Sequence, residues 1–188
     1  MIHVYIESKS GNKKDALQNV LSGYDTVQLK EKTFSLPEVA TTLSEEATMN
    51  ASRRRALSIA VNGILPNRAL AVGIHKGWHV DPATKEAYLV LSTTILQVGE
   101  TICATACSKI LVPQKGLGEL LENGTHPYDA YEAITGIDIS KKKMPVYEII
   151  TKRKEVVWMQ KNIQEALDMV LKKIEEVSPE KQKAIHST

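Results

Sequence analysis

The chain has 188 residues, of which 43% are hydrophobic and 24% charged, a composition typical of one compact domain with a sizeable core. Its 24 basic and 22 acidic residues leave a net charge of +2, too small for a protein that binds duplex nucleic acid through the phosphates. No apolar run approaches the roughly 20 residues that span a bilayer, and polar Glu7 and Ser8 interrupt the segment where a signal peptide stays apolar. We therefore expect a soluble cytoplasmic protein, with one domain over residues 1–177 and a polar, frayed tail over residues 178–188.

The chain begins with a strand, a polar loop and a helix. Apolar residues alternate with polar ones over residues 2–6, which predicts a strand. After the loop, a helix begins that Ser10 caps and Gly23 ends. A second short strand is predicted from Val27 to Leu29.

The middle of the chain predicts a long helix followed by the centre of a sheet. The helix begins after Ser44. Its buried stripe is expected to contain Ala47, Ala51, Leu57, Ala60, Val61 and Ile64. Residues 69–74 are continuously apolar, which is typical of a central strand. Residues 88–96 and 101–108 predict a long hairpin.

The C-terminal part predicts two short helices, at residues 119–121 and from Pro127 to Gly136, and a last strand at residues 146–151. Apolar residues three or four apart mark a closing amphipathic helix: Trp158, Ile163, Ala166, Leu167, Val170, Leu171 and Ile174. This order of elements indicates an α/β domain with a mixed sheet and flanking helices.

The first loop is a candidate phosphate site. It contains Ser8, Lys9, Ser10 and Lys13 where a strand passes into a helix, and the free N–H groups of a helix start attract phosphate. The glycine spacing is not that of a Walker A loop, so on composition an ordinary polar loop is an equal alternative.

The long helix contributes a second group of candidates. Arg53, Arg54 and Arg55 are consecutive, so they point in three directions and one or two of them can face a cleft, where a guanidinium suits a triphosphate. Glu45 and Glu46 precede them. Their carboxylates either hold a hard divalent cation or stabilise the positive end of the helix, and the second interpretation is favoured.

A third group lies near predicted strand and loop ends. His75 follows the central strand, where open sheets commonly have ligand crevices. It is a metal ligand, a base or an ordinary surface histidine, and the last is the default interpretation. Asp138 precedes a basic loop with Lys142 and Lys143, which suits a small polyanion or stays solvated.

In this order the segments resemble the inosine/xanthosine triphosphatase family, which is related to the inosine-triphosphate pyrophosphatases. Four stretches carry the resemblance: the strand-loop-helix start with Lys13, the Ala-Ser-Arg-Arg-Arg-Ala-Leu helix segment at residues 51–57, Ala-Val-Gly-Ile-His-Lys-Gly at residues 71–77, and Thr-Gly-Ile-Asp at residues 135–138 before the basic loop. The resemblance covers about residues 2–175.

The resemblance implies a two-lobed α/β protein, expected to form a homodimer, whose cleft binds a purine nucleoside triphosphate with Mg²⁺ or Mn²⁺ while water attacks a phosphate. Deaminated purines, as in inosine and xanthosine triphosphate (ITP and XTP), are the implied substrates. The residues expected at the nucleotide are Ser8, Lys9, Ser10, Lys13, Arg53, Arg55, Lys142 and Lys143.

The chain departs from the family pattern at the metal site. The family usually has glutamate where this chain has His75, and Glu46 matches the acidic residue ahead of the arginine helix only with a one-residue shift. We expect Glu46 and His75 at the metal, and Lys13, Glu46 and Asp138 as catalytic residues. Because imidazole replaces a carboxylate, the affinity for Mg²⁺ should fall.

Two hypotheses about function follow. The chain is a metal-assisted hydrolase of ITP or XTP, or it is a catalytically inactive relative that serves as a nucleotide-binding or protein-interaction module. The hydrolase is narrowly favoured, because the basic residues of the cleft are present even where the carboxylate is not.

Overall fold

The computed structural model describes residues 1–6, 11–31, 41–142 and 144–185. Its centre is a five-stranded sheet with the strand order β2-β1-β3-β4-β5. The strands are β1 (Ile2–Ile6), β2 (Val27–Glu31), β3 (Leu70–Val80), β4 (Ala87–Gln97) and β5 (Cys103–Val112). Strand β1 is parallel to β2 and β3, whereas β4 is antiparallel to β3 and β5. The predicted α/β class with a mixed sheet is confirmed.

Helices cover both faces of this sheet. They are α1 (Gly11–Leu21), α2 (Glu45–Asn62), α3 (Leu117–Glu122), α4 (Pro127–Thr135), α5 (Val146–Thr151) and α6 (Glu155–Ile185). The main core lies between the sheet and helices α1 and α6, where Leu17, Leu91 and Ile163 are fully buried. Each such side chain contributes about 1.5–3 kcal/mol through the hydrophobic effect, so this face holds most of the fold's stability.

Helix α2 covers the opposite face through small and hydroxyl side chains. Ser52 Oγ lies 2.9 Å from Ser92 Oγ and 2.8 Å from Thr94 Oγ1. The helix backbone comes this close because Gly73 has no side chain: a Cβ there would collide with backbone atoms of Ser52 and Ala56. Near Gly73 the second interface is therefore thin and partly polar, and it tolerates little added volume there. A small apolar cluster around Ile59 and Ala71 completes it.

The predicted stripe of α2 is wrong in its large residues. Leu57, Val61 and Ile64 are 55%, 69% and 92% exposed. The residues that α2 buries are Thr48, Ala51, Ser52, Ala56 and Ile59. The cause is the close approach of α2 to the sheet at Gly73, which favours small side chains there, whereas a hydrophobicity pattern gives most weight to large ones.

Residues 146–151 were predicted as a strand and form helix α5 instead. Pro145 occupies the N-cap position, and its carbonyl accepts hydrogen bonds from the N–H groups of Glu148 and Ile149. The β propensity of these residues does not determine their structure. In so short a segment, the packing of Tyr147 and Ile149 into the core determines the conformation instead.

Strand β3 is longer than predicted, because β4 pairs with it as far as Val80 opposite Ala87. His75 therefore lies inside β3 rather than after it. Helix α6 continues to Ile185. In the part of the chain that the structure describes, no helix has the length and apolarity needed to cross a membrane.

Candidate functional site

The site begins where β1 ends beside β3. The last residue of β1, Ile6, pairs with Val72, while β3 continues to Val80. Beyond Val72, the β1-side edge of β3 has no strand partner within the described residues. Two other groups reach this edge: Lys13 Nζ donates to the carbonyl of Ile74 at 3.1 Å, and Trp78 N donates to the carbonyl of Thr42 at 2.8 Å. A side chain of α1 and the backbone ahead of α2 thus reach this edge in place of a strand, and we call it the open edge of β3.

His75 lies at this open edge on the face that α2 covers. Its neighbours along the strand, Gly73 and Gly77, both contact residues of α2, and strand alternation puts His75 on the same side. The side chain is 6% exposed, and its Nε2 has no hydrogen-bond partner among the residues that the structure describes. Within that part of the chain, a buried polar atom at the edge of the strand is thus left without a partner.

Three cations surround this imidazole. Burial, together with the positive charges of Arg55, Lys13 and Lys76, lowers the pKa of His75 to about 4. His75 is therefore a neutral imidazole at physiological pH. We call Lys13, Arg55, His75 and Lys76 the cation cluster.

Lys76 points to the other face of the sheet and pairs with a buried carboxylate. Its Nζ lies 2.7 Å from Glu155 Oε1, and Asn12 Nδ2 donates to Glu155 Oε2 at 3.4 Å. The backbone N–H of Glu155 donates to Glu148 Oε1 at 3.1 Å. Glu155, which is 1% exposed, therefore connects α1, β3, α5 and α6 at one point.

A pocket of about 350 Å³ opens beside Lys76. Its apolar wall includes Trp78, Tyr147 and Trp158, and the rings of Tyr147 and Trp158 stack at a centroid distance of 4.8 Å. The indole N–H of Trp158 donates to Ser108 Oγ at 2.9 Å, which fixes the ring. The pocket thus has a rigid aromatic wall, of the kind that recognises flat ligands.

The rest of the pocket is polar. His126 and Tyr128 lie at the start of α4, and Ser140 and Lys142 come from the loop before α5. Lys76 belongs to both this rim and the cation cluster. An aromatic wall joined to cationic groups suits a ligand with a flat ring and a negatively charged chain.

The structure brings several predicted residues together. Lys13, Arg55 and His75 meet in the cation cluster, and Lys142 lines the pocket. Of the three consecutive arginines, Arg55 is the one that reaches the cluster. Ser8, Lys9, Ser10 and Lys143 lie outside the described residues.

Other predicted residues lie elsewhere. Arg53 is exposed, and its Nε donates to Thr105 Oγ1 on β5 at 3.3 Å. Glu46 is exposed in the first turn of α2. These positions follow from the helical rotation of α2, because the face that presents Arg55 to β3 turns its neighbours away.

Asp138 holds its own loop closed. Its carboxylate accepts from Ser140 Oγ and from the backbone N–H of Lys141, and Lys141 Nζ lies 2.7 Å away. These hydrogen bonds lower the pKa of Asp138 to about 2. Its role in the structure is to shape the loop that carries Ser140 and Lys142 to the pocket.

The pair Glu46 and His75 does not fit a site for Mg²⁺ or Mn²⁺. Among residues 1–6, 11–31, 41–142 and 144–185, no group of three or more histidine, cysteine, aspartate or glutamate side chains could hold a metal ion. The cations around His75 would repel a dication. Imidazole is in addition a poor ligand for a hard cation.

Sequence reasoning missed Lys76, Glu155 and Tyr147 as site residues, and placed Trp158 only on the closing amphipathic helix. Lys76 carried a weak signal, because it directly follows His75 in the segment that carries the family resemblance. No sequence signal indicated Glu155, because its role depends on the contact between the start of α6 and strand β3.

Comparisons with known proteins identify the fold only. No protein-family model matches the chain, and no curated protein matches it. A crystal structure of the protein VC0702 from Vibrio cholerae is similar, with a TM-score of 0.64 and 15% sequence identity over 96% of this chain and 98% of that one. A nucleoside-triphosphatase/dITP/XTP pyrophosphatase from Mycobacterium abscessus overlaps 60% of this chain and 73% of that one, with a TM-score of 0.40 and 13% identity, a similarity too low to carry an argument. The chain thus shares its fold, over nearly its whole length, with the Vibrio cholerae protein.

Proposed function

We propose that the pocket binds a purine nucleoside triphosphate and that the chain is a nucleoside triphosphatase acting on ITP or XTP. The observation that carries this proposal is the pocket of about 350 Å³, which joins an aromatic wall to Lys76 and Lys142. Its volume is within the range of small-molecule sites. The substrate class comes from the family resemblance of the sequence.

Each part of the pocket has a task in this proposal. The purine base packs against the wall of Trp78 and Tyr147, and the stacked Trp158 keeps that wall rigid. Lys76 and Lys142 contact the phosphates, where ammonium groups supply charge-assisted hydrogen bonds. Glu155 fixes the direction of Lys76 through their ion pair.

A second candidate function is nucleotide binding without turnover. It is favoured by the positions of the predicted catalytic carboxylates: Glu46 is exposed away from the cation cluster, and Asp138 is engaged by Ser140 and Lys141. The described residues support phosphate binding by cations more directly than they support activation of water.

The test measures binding and turnover in parallel. Phosphate and pyrophosphate release is followed with ITP, XTP, GTP and ATP, with Mg²⁺ and with Mn²⁺, and the dissociation constant of each nucleotide is measured by calorimetry. Release from ITP or XTP supports the hydrolase. Tight binding with no release supports the binding module, and no binding of any nucleotide contradicts both.

A pair of lysine variants links the result to the pocket. Lys142→Gln removes one exposed cation from the pocket rim, and should raise the dissociation constant for ITP about tenfold, the effect of losing roughly 1.4 kcal/mol. Lys172→Gln, on the exposed face of α6 outside the pocket, is the matched control and should leave the constant unchanged. Equal effects of the two variants would remove the pocket assignment.

A further inference from the structure

We propose that the phosphate end of this site holds its ligand without a divalent cation, and that the neutral imidazole of His75 donates a hydrogen bond from Nε2 to a phosphate oxygen. The inference rests on the proposed nucleotide function and concerns how that same site neutralises a polyphosphate. It differs from the metal-assisted site that the sequence resemblance implies.

The first support is the unpartnered nitrogen of His75. The side chain is more than nine-tenths buried, and Nε2 makes no hydrogen bond to any of the described residues. Leaving such a buried atom unsatisfied is unfavourable, so most buried polar atoms in native structures have a partner. A ligand oxygen at the open edge of β3 would satisfy it.

The second support is the charge around this atom. Arg55, Lys13 and Lys76 all act on His75 electrostatically. Lys76 is in addition paired with Glu155 on the other face of the sheet. These three side chains supply the positive charge that a metal ion supplies in other phosphate sites, and they repel a divalent metal ion.

The third support is the protonation state of His75. Burial, together with the three cations, lowers its pKa to about 4, so near pH 7 the imidazole is uncharged and can carry its single proton on Nε2. A neutral donor stabilises an anionic oxygen without adding another like charge to a crowded cluster. A glutamate at this position would instead repel the phosphate unless a metal ion lay between them.

The position of the cluster fits a chain of phosphates. His75 faces the α2 layer and Lys76 faces the pocket, and the two residues are adjacent at the open edge of β3. Lys13 reaches the same edge through the carbonyl of Ile74. The path proposed for a polyphosphate runs from the pocket past Lys76 and around the open edge of β3 to His75.

The test measures the binding of inorganic tripolyphosphate and of ITP by calorimetry, once in excess EDTA and once in excess Mg²⁺. We expect the unmodified chain to bind both ligands in EDTA, with dissociation constants that Mg²⁺ does not improve. His75→Glu should weaken binding in EDTA by at least about tenfold and should regain affinity when Mg²⁺ is added. His79→Gln, four residues further along the same strand, is the matched control and should leave both constants unchanged.

A second readout does not depend on the charged variant. In ¹⁵N NMR spectra of the histidine rings, the His75 Nε2 resonance should shift when tripolyphosphate is added in EDTA, while that of His79 should not. His75→Gln retains a donor, so its binding in EDTA should stay within about threefold of the unmodified chain.

The outcomes separate this inference from the function on which it rests. Binding of ITP that requires Mg²⁺ would overturn the metal-free site and leave the nucleotide pocket standing. Binding in EDTA that His75→Glu does not weaken, or an unshifted His75 resonance, would overturn the role of His75. No binding of ITP under either condition would overturn the inference together with the proposed function.

Discussion

At the scale of single residues, burial and neighbouring charge act on His75 in the same direction. Both favour the neutral imidazole, which lowers its pKa from 6.5 to about 4. In the unfolded chain this histidine regains its ordinary pKa. The unfolded state therefore binds more protons than the folded state between pH 6.5 and about 4, and stability must fall as the pH falls through that window.

The resulting prediction compares the unmodified chain with His75→Gln. Between pH 7 and pH 4, the unmodified chain should lose roughly 2–3 kcal/mol more of its free energy of unfolding than the variant does, because only the unmodified chain takes up a proton at this position on unfolding. Urea denaturation at several pH values measures the difference. Parallel stability curves for the two chains would show that His75 keeps an ordinary pKa in the folded state.

The ion pair between Lys76 and Glu155 gives a second residue-scale prediction. Lys76→Met leaves the carboxylate of Glu155 buried without its partner, and should lower the free energy of unfolding by about 3 kcal/mol. Glu155→Gln removes the buried charge, keeps a side-chain oxygen that can accept from Asn12 and leaves the backbone hydrogen bond to Glu148 in place, so it should cost less.

Chemical denaturation checks this asymmetry. Lys85→Met serves as the control, because its ion pair with Glu122 is exposed and should contribute no more than about 1 kcal/mol. A larger loss for Glu155→Gln than for Lys76→Met would mean that the carboxylate is held by its hydrogen bonds rather than by Lys76.

At the scale of secondary-structure elements, the close packing of α2 on β3 depends on Gly73. We predict that Gly73→Ala lowers the free energy of unfolding by about 3 kcal/mol, because its Cβ meets backbone atoms of Ser52 and Ala56 that cannot move independently. Thermal denaturation measures the effect. Gly23→Ala, whose Cβ has only an ordinary contact with the carbonyl of Val20, is the control. Equal melting temperatures for the two variants would contradict the close approach of α2.

The sequence predicted elements best where periodicity and burial agree. Alternation in β1 and the continuous apolar pattern of β3 located both strands, and the spacing of apolar residues located α6. Two features were not predicted from the sequence. Helix α5 is decided by tertiary packing of Tyr147, and the buried face of α2 is decided by the small residues that fit against Gly73. Neither cause is visible in a hydrophobicity pattern.

At the scale of the whole molecule, the site gathers residues that lie far apart in the sequence. Lys13 and Arg55 come from different helices on opposite faces of the sheet, and Lys76 and Glu155 meet across 79 positions. The family resemblance of the sequence indicated Lys13, Arg55 and Lys142 as site residues, because this chain has the basic residues that the family pattern has at these positions. It could not point to Glu155, whose function arises only when α6 packs against β3.

The homodimer implied by the sequence resemblance stays a prediction. Light scattering of the purified chain at micromolar concentration measures it directly. Twice the mass of one chain is the expected result, and the mass of a single chain at every concentration would contradict the expectation.

The most direct test of the nucleotide pocket uses its own tryptophans. The chain has two tryptophans, Trp78 and Trp158, and both line the pocket, so their fluorescence reports on this site alone. We predict that titration with ITP changes this fluorescence to a saturating value, with a midpoint that Lys142→Gln raises and Lys172→Gln does not. Fluorescence that stays constant as ITP is added, or a midpoint that the two variants shift equally, would contradict a nucleotide site in this pocket.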